Sequence, residues 1–351
     1  MKSRFVLLLC LCAGVFAGAA FAASPSSSAR WDRGNAMAAV NSVNIDRAVF
    51  EIAGVSSLAD GDATLEKLNQ LETRSDWPMP AREAALYEFT RSLADLPRAA
   101  VAAEVMQHLH NYEAKTLVPH EDHEATLVPL FNIRGAAAGV ENGWQRKEFA
   151  AEAVELIRTD PASLVSAYTE STGNNQRAGY LDALRQADMA DAIVVQQAAL
   201  AGFEQAPELT AVVGLTAVMT ADTSALRQLL VNGSGAGLSA TLVQLAQRLQ
   251  APEIETLLNY AILEAPAGNA ALAIAAWWPA LKHVATVRGL LVEKLADPAL
   301  GSAAALALAQ SPDVQTIKIL QQTAAGTSLA ARRAQMALDI NREQLIGETQ
   351  P

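Results

Sequence analysis

The stretch DPALGSAAALALA, residues 297–309, contains the pattern from which most of this chain is built. After an Asp-Pro pair, Leu300, Ala304, Ala307 and Leu308 follow the i, i+4, i+7, i+8 spacing of one helix face. Asp is a good N-cap, and Pro in a first helical turn sacrifices no hydrogen bond, so the pair predicts a helix start. The same ladder recurs in AARRAQMAL (330–338), QRAGYLDAL (176–184), VRGLLVEKL (287–295) and AREAALYEF (81–89).

Helical periodicity extends over most of the remaining sequence. In RKEFAAEAVELIR, residues 146–158, Phe149, Ala153 and Ile157 share one helix face. Hydrophobic residues make up 51% of the chain but aromatic residues only 5%, so alanine and leucine dominate the expected core. We therefore predict an all-α chain of helices of roughly 9–17 residues, with at most two short strands.

The repeated ladders resemble HEAT-type, armadillo-like helical repeats, in which a turn leads into a helix with Arg, Ala and Leu at fixed positions. Residues 297–308 match this pattern best, residues 330–338 come second, and the family's Arg is missing at Gly301 and Ala331. The resemblance implies an α-solenoid of antiparallel helical hairpins over most of residues 60–340, and it brings no catalytic residue. A compact all-α bundle is the alternative architecture.

The first 22 residues have the composition of a secretory signal peptide. Lys2 and Arg4 precede an apolar run, and Ala20-Phe21-Ala22 provides a cleavage site of small residues. This predicts a periplasmic or secreted protein that begins at Ala23. Both cysteines lie in this segment, so the remaining chain has neither disulfides nor thiolate ligands. We further predict a disordered leader at 23–43, a solenoid at 44–345 and a tail at 346–351.

The charge balance argues against several classes of partner. The chain has 26 basic and 37 acidic residues, and loss of Lys2 and Arg4 with the signal peptide changes the net charge from −11 to −13. Phosphate backbones and anionic lipid surfaces repel such a chain, so we expect no nucleic-acid partner. No later segment is long and apolar enough to span a bilayer, so we expect no membrane span in the mature chain.

Four of the five histidines fall between residues 108 and 123, among several acidic residues. His108 and His110 lie about 200° apart around a helix and cannot easily share a metal ion. His120 and His123 share a face if a helical turn starts at Pro119. This alternative predicts a zinc site, because imidazole and carboxylate are zinc ligands. Its candidate ligands are His110, His120, Asp122 and His123, with His108 and Glu113 as substitutes.

Two other interpretations apply to the same segment. Histidines near a helix C-terminus interact favourably with its dipole, which would give them a local structural role. Alternatively, residues 115–147 interrupt the hairpin rhythm, and irregular insertions in repeat proteins often lie on a binding face. On that interpretation the candidate partner contacts are His120, His123, Phe131, Arg134, Trp144 and Arg146.

Two further motifs favour structural roles. NGSGAG, residues 232–237, lacks the preceding strand and the following lysine of a phosphate loop, so we predict a connector between helices. We expect one of Trp277 and Trp278 in the core, the other as an exposed contact, and a new helix after Pro279.

Together, these patterns predict a non-catalytic helical scaffold that binds a protein or peptide and needs no cofactor. The alternatives are a metal-dependent periplasmic enzyme or metal-binding protein centred on 108–123, and a structural domain of a larger envelope assembly.

Overall fold

The computed structural model describes residues 29–56, 60–311 and 313–347, and this part of the chain is all-α. It contains 18 α-helices and three strands of two to four residues. The prediction of an all-α chain is therefore confirmed. The chain divides into two compact units between Glu141 and Asn142. The predicted signal peptide and most of the predicted tail lie outside the described residues.

The first unit combines short helices with a small sheet. Its elements are β1 (Ala29–Arg30), α1 (Arg33–Asn41), α2 (Ile45–Ser56), α3 (Gly61–Thr73), α4 (Met79–Ser92), α5 (Ala103–His110), β2 (Thr116–Pro119) and β3 (Leu127–Pro129), followed by the start of α6 (Ile133–Thr159). Helix α4 is the centre of this unit, because α1, α2, α3 and β2 all pack against it.

The segment that we predicted as a disordered leader forms a strand and a helix from residue 29 onward. Asp32 caps α1 by accepting a hydrogen bond from the Asn35 amide at 2.9 Å. Ala36 and Val40 are buried, and α1 packs against α4. The leader prediction is therefore wrong for residues 29–41, because two apolar positions one helical turn apart are enough to anchor a capped helix on an existing core.

A three-stranded sheet lies where we expected an irregular insertion. β1 pairs in parallel with β2, and β2 pairs antiparallel with β3 through Val118 and Val128. The expectation of at most two strands is therefore wrong. Pro119 ends β2, so the helical turn predicted to start there is not formed.

The second unit is a regular succession of helices after the end of α6. They are α7 (Ser163–Glu170), α8 (Asn174–Leu184), α9 (Met189–Gly202), α10 (Thr210–Thr220), α11 (Thr223–Asn232), α12 (Gly235–Arg248), α13 (Ala251–Glu264), α14 (Ala267–Leu281), α15 (Ala285–Lys294), α16 (Gly301–Ala309), α17 (Val314–Ala324) and α18 (Leu329–Gly347). Residues 233–234 connect α11 to α12, as predicted for the glycine-rich stretch.

Every even-numbered helix from α8 to α16 packs against the next even-numbered helix. Odd-numbered helices make the corresponding contacts in three cases: α7 with α9, α11 with α13 and α15 with α17. Side chains reinforce this order by donating hydrogen bonds to carbonyl oxygens 32–39 residues earlier in the chain. The Asn269 amide bonds the Leu230 and Gly233 carbonyls, and the Arg333 guanidinium bonds the Leu295 and Asp297 carbonyls. These side chains thus link α14 to the end of α11, and α18 to the loop before α16.

The predicted ladders form the core of this unit. Leu300, Ala304, Ala307 and Leu308 are all buried, as are Ala334 and Ala337 of the second copy. The prediction for the tryptophan pair is wrong in two respects. Helix α14 continues through Pro279 to Leu281, and both tryptophans are fully buried. The indole of Trp277 donates to the Leu242 carbonyl at 2.9 Å, which explains why this side chain faces inward.

Candidate functional site

The histidines of α5 face two different partners, as their helical spacing predicted. The His108 Nε2 atom lies 2.6 Å from the Glu72 carboxylate of α3. The His110 Nε2 atom lies 3.0 Å from the Glu141 carboxylate of α6. His108 therefore ties α5 to α3, whereas His110 lies near α6 without hydrogen-bond geometry to Glu141, and the two rings do not converge on one point.

The other two histidines lie at the tip of the β2–β3 hairpin. The rings of His120 and His123 stack with their centroids 5.6 Å apart. His120 Nδ1 accepts a hydrogen bond from the Asp122 amide, and Glu121 forms an ion pair with Arg33 at 3.0 Å. Backbone hydrogen bonds between residues 120 and 126 close the hairpin tip.

The predicted zinc ligands are thus only partly brought together. His120, Asp122 and His123 share the hairpin tip, whereas His110 lies against Glu141 on α5. Within residues 29–56, 60–311 and 313–347, no group of three or more His, Cys, Asp or Glu side chains is arranged to hold a metal ion.

The remaining predicted partner contacts differ in exposure. Phe131 packs against Tyr87 with ring centroids 6.0 Å apart, and Arg134 is exposed. Trp144 is buried, so it does not offer the contact surface that we predicted for it. Arg146 is paired with Asp182, donating from Nη2 at 2.7 Å, and this guanidinium lowers the pKa of the Asp182 carboxyl. Of these four, Arg134 is the side chain most open to a partner.

The most deeply buried charged group in the first unit is Glu83 on α4, which the sequence analysis missed. Its carboxylate accepts hydrogen bonds from the Tyr112 hydroxyl at 3.1 Å and from the Lys115 and Thr116 amides at 2.5 and 2.9 Å. It thereby satisfies the backbone at the start of β2. Burial, followed by the charge of Glu83, raises the pKa of Tyr112 far above its usual range. No local sequence signal marks Glu83, because its partners lie 29–33 residues away.

Next to this buried carboxylate, an open pocket of about 510 Å³ is lined by polar side chains. Glu72, His108 and Tyr112 line it together with Glu104 and Lys115. The hydrogen bond with Glu72 raises the pKa of His108, while partial burial opposes this shift. The pocket pairs an imidazole with a carboxylate, and the hydroxyl in its lining, that of Tyr112, donates to Glu83. The lining includes no serine, threonine or cysteine, which are the usual hydroxyl and thiol nucleophiles.

Between α10 and α16, the even-numbered helices are almost free of charge. Helices α10, α14 and α16 contain no Asp, Glu, Lys or Arg, and α12 contains only Arg248, its last residue. The odd-numbered helices carry the charges: α13 has three glutamates, and α15 has an arginine, a glutamate and a lysine. The contrast is confined to the stretch from α10 to α16, because α8 and α18 carry charged residues and α11 has a single arginine.

Apolar side chains occupy equivalent solvent-side positions on these helices. Each of these four helices has an apolar residue directly after two consecutive buried residues. These apolar residues are Leu215 in α10, Val243 in α12, Ala275 in α14 and Leu306 in α16. Val243 and Leu306 are each 51% exposed, and Leu272 on α14 is 39% exposed. We call the solvent side of α10, α12, α14 and α16 the uncharged face; it is represented by Leu215, Val243, Leu272, Ala275 and Leu306. The alternation of charged and uncharged helices between α12 and α16 is visible in the sequence and could have indicated this face.

Comparisons with protein-family models, with curated proteins and with solved structures find no match for this chain. Among the described helices, none combines the length and the apolar character needed to traverse a bilayer.

Proposed function

We propose that this protein is an exported, non-catalytic helical-repeat scaffold that binds a protein or peptide partner on the uncharged face. The observation that carries the proposal is the run of exposed apolar side chains on consecutive even-numbered helices that lack charges. Soluble proteins rarely leave a contiguous apolar surface open to water unless something binds there. Val243 on α12 and Leu306 on α16 are each 51% exposed, and α14 lies between these two helices in the even-numbered series.

We also propose that the helices of the second unit stack as a HEAT-like solenoid rather than as a compact bundle. Two observations support this: even-numbered helices pack against the next even-numbered helix, and side chains bond carbonyls one hairpin earlier. In a solenoid each hairpin contacts mainly its neighbours, which leaves one side of every second helix available for a partner. Export to the periplasm or medium, with Ala23 as the first residue, remains part of the proposal on the strength of residues 1–22.

The hairpin tip in the first unit is a second candidate contact region. His123 is exposed and stacks on His120, and Arg134 is exposed at the start of α6. The imidazoles and the acidic residues around them suit a polar partner surface. By contrast, the metal-dependent alternative lacks a specific observation in its favour, because the four histidines are divided among three environments.

Site-specific photo-crosslinking in the exporting cell tests this proposal. A photoreactive residue replaces Leu306 or Val243 on the uncharged face, His123 at the hairpin tip, or the control positions Leu263 and Val314. The controls are more exposed, at 73% and 81%, but lie on odd-numbered helices. We expect a discrete adduct of higher mass from Leu306 and Val243 and none from the controls.

Two double variants complement the crosslinking. The test variant carries Val243→Asp with Leu306→Asp, and the matched control variant carries Leu263→Asp with Val314→Asp. All four positions are exposed, so each variant should keep its stability within about 1 kcal/mol. Only the first pair should abolish the adduct formed from a third position on the uncharged face, Leu272. Equal adducts at control positions, or adducts insensitive to the Val243 and Leu306 changes, contradict the proposal. The mass of the exported chain reports its first residue in the same experiment.

A further inference from the structure

The sequence contains two Asn-Gly pairs, Asn142-Gly143 and Asn232-Gly233. Such pairs are the most reactive sites for deamidation, because glycine has no Cβ atom to hinder the approach of its amide nitrogen to the preceding side chain. That nitrogen loses its proton and attacks the Asn Cγ atom, and ammonia leaves. Water then opens the resulting succinimide to aspartate or to isoaspartate. An Asn-Gly pair therefore reacts where the backbone lets the glycine nitrogen reach Cγ.

The first pair lies in the interior of α6, well before its end at Thr159. A helical backbone engages the Gly143 amide in its hydrogen-bond ladder and holds this nitrogen away from the preceding side chain. The Asn142 carboxamide is fixed as well, because its Oδ1 atom accepts a hydrogen bond from Asn175 Nδ2 at 2.8 Å. Reaction at Asn142 thus requires α6 to open in its interior, which is costly for a packed helix.

The second pair lies at the end of α11. Asn232 is the last residue of this helix, and the Gly233 amide makes its final hydrogen bond, to the Leu229 carbonyl at 2.8 Å. In contrast to Asn142, the Asn232 carboxamide has no hydrogen-bond partner among the described residues. Helix ends fray more readily than helix interiors open, and residues 234–236 are exposed, so solvent reaches the opened turn.

One side chain from another helix restrains this last turn. The Asn269 amide of α14 donates to the Leu230 and Gly233 carbonyls, each at 2.9 Å. Gly233 is itself buried. The reaction at Asn232 therefore proceeds through local opening of the turn and is slower than in an unfolded peptide, and loss of Asn269 makes the opening easier.

We propose that Asn232 is the site at which the second unit deamidates while folded, and that Asn269 controls the rate. This modification is independent of the partner that the uncharged face binds. Either product places a negative charge at the C-terminus of α11, where the helix dipole disfavours it. Isoaspartate also lengthens the backbone by a methylene group. Because a Cβ atom at Gly233 would already overlap the Leu229 carbonyl oxygen, the longer backbone displaces Gly233 from Asn269.

Incubation of the purified protein at mildly alkaline pH, followed by peptide mapping with mass spectrometry, tests the site. A synthetic peptide of residues 229–237 gives the rate without the fold. We expect this peptide to convert fastest, Asn232 in the protein at least tenfold more slowly, and Asn142 at least tenfold more slowly again. Conversion at Asn142 as fast as at Asn232 would overturn the proposal. So would an Asn232 that stays intact over many half-lives of the free peptide.

Asn269→Ala tests the control of the rate. This variant should speed conversion at Asn232 severalfold and leave Asn142 slow. The matched control is Asn175→Ala, which frees the Asn142 carboxamide but leaves the Gly143 amide inside α6, so conversion at Asn142 should stay slow. An unchanged rate at Asn232 in Asn269→Ala would refute the role of Asn269. Equal acceleration at both pairs would mean that the whole unit opens, which also contradicts a local event.

The consequence for packing has its own measurement. The deamidated fraction, purified by ion exchange and mapped for isoaspartate, is compared with the variant Asn232→Asp, which has the charge without the longer backbone. The isoaspartate-containing fraction should unfold at a lower denaturant concentration than Asn232→Asp. Equal midpoints would show that Gly233 keeps its contact with Asn269 in the modified chain, contrary to the proposed displacement.

Discussion

The two units of this protein use polar side chains in different ways. In the second unit, Asn269, Trp277 and Arg333 each donate a hydrogen bond to a carbonyl 35–39 residues earlier, so separate side chains join several pairs of helices. In the first unit, a single buried carboxylate, Glu83, receives three donors from Tyr112 and β2. The second unit spreads these hydrogen bonds over several helices, whereas the largest such cluster in the first unit converges on Glu83, beside the separate contact of His108 with Glu72. Mutations should therefore have more distributed effects in the second unit than in the first.

The largest effect that we predict is the loss of Glu83. Glu83→Ala leaves the Tyr112 hydroxyl and the Lys115 and Thr116 amides without their acceptor in a buried site. We expect the free energy of unfolding of the first unit to fall by about 3 kcal/mol or more. Hydrogen exchange read by mass spectrometry should show protection lost in α4 and β2 but retained in α10–α16.

Glu88→Ala is the matched control, since Glu88 lies on the same helix and its ion pair with Arg91, at 3.4 Å, is exposed. It should change stability by less than about 0.5 kcal/mol. If Glu83→Ala were as mild as its control, or if protection fell equally in both units, the contrast between concentrated and distributed polar interactions would be incorrect.

A second, smaller effect is expected where α8 crosses close to the second-unit part of α6. A Cβ atom at Gly179 would lie 2.6 Å from the Arg146 carbonyl oxygen and 2.9 Å from the Ala150 amide. Both are backbone atoms that cannot turn aside, so Gly179→Ala must push α8 away. We expect a net loss of about 1–2 kcal/mol, measured by denaturant unfolding of the second unit.

Gly289→Ala in α15 provides the control, because nothing lies within 4 Å of its added Cβ. There the better helix propensity of alanine should raise stability by up to about 1 kcal/mol. Opposite signs for the two glycine substitutions would show that helix spacing, and not propensity, sets the effect in this unit. A stabilising Gly179→Ala would contradict the close approach.

The difference between local patterns and long-range contacts also explains how much of the fold and of the candidate site could be predicted from the sequence. The ladders at 300–308 and 330–338 predict buried faces correctly because each depends on spacing within one helix, which the 3.6-residue period determines. The pairing of β1 with β2 and the acceptor role of Glu83 depend on contacts between distant segments, and no local pattern encodes them. The uncharged face lies between these cases. Its charge alternation is visible in the sequence, but the helix pairing is needed to place Val243 and Leu306 on one surface.

The smallest effect that we predict concerns the pH dependence of the first unit, through His108. The hydrogen bond that the imidazole donates to Glu72 raises the pKa of His108 in the folded chain above its unfolded value near 6.5. The protonated imidazole is therefore favoured by folding, and this stabilisation is fully present below about pH 6.5 and is lost as the pH rises through the folded pKa. Replacement by Asn should accordingly cost more stability at pH 5.5 than at pH 9.

The difference should be at most about 1 kcal/mol, because the His108 and Glu72 side chains are 28% and 18% exposed and solvent screens them. Urea unfolding at the two pH values measures it, with His283→Asn, at an exposed position in the second unit, as the control. We expect the control to give nearly the same stability change at both pH values. A His108→Asn cost that stays constant or grows toward pH 9 would mean that the contact with Glu72 is made by the neutral imidazole. The contact between α3 and α5 would then not depend on pH, and the stability of the first unit would not show the pH dependence that we predict.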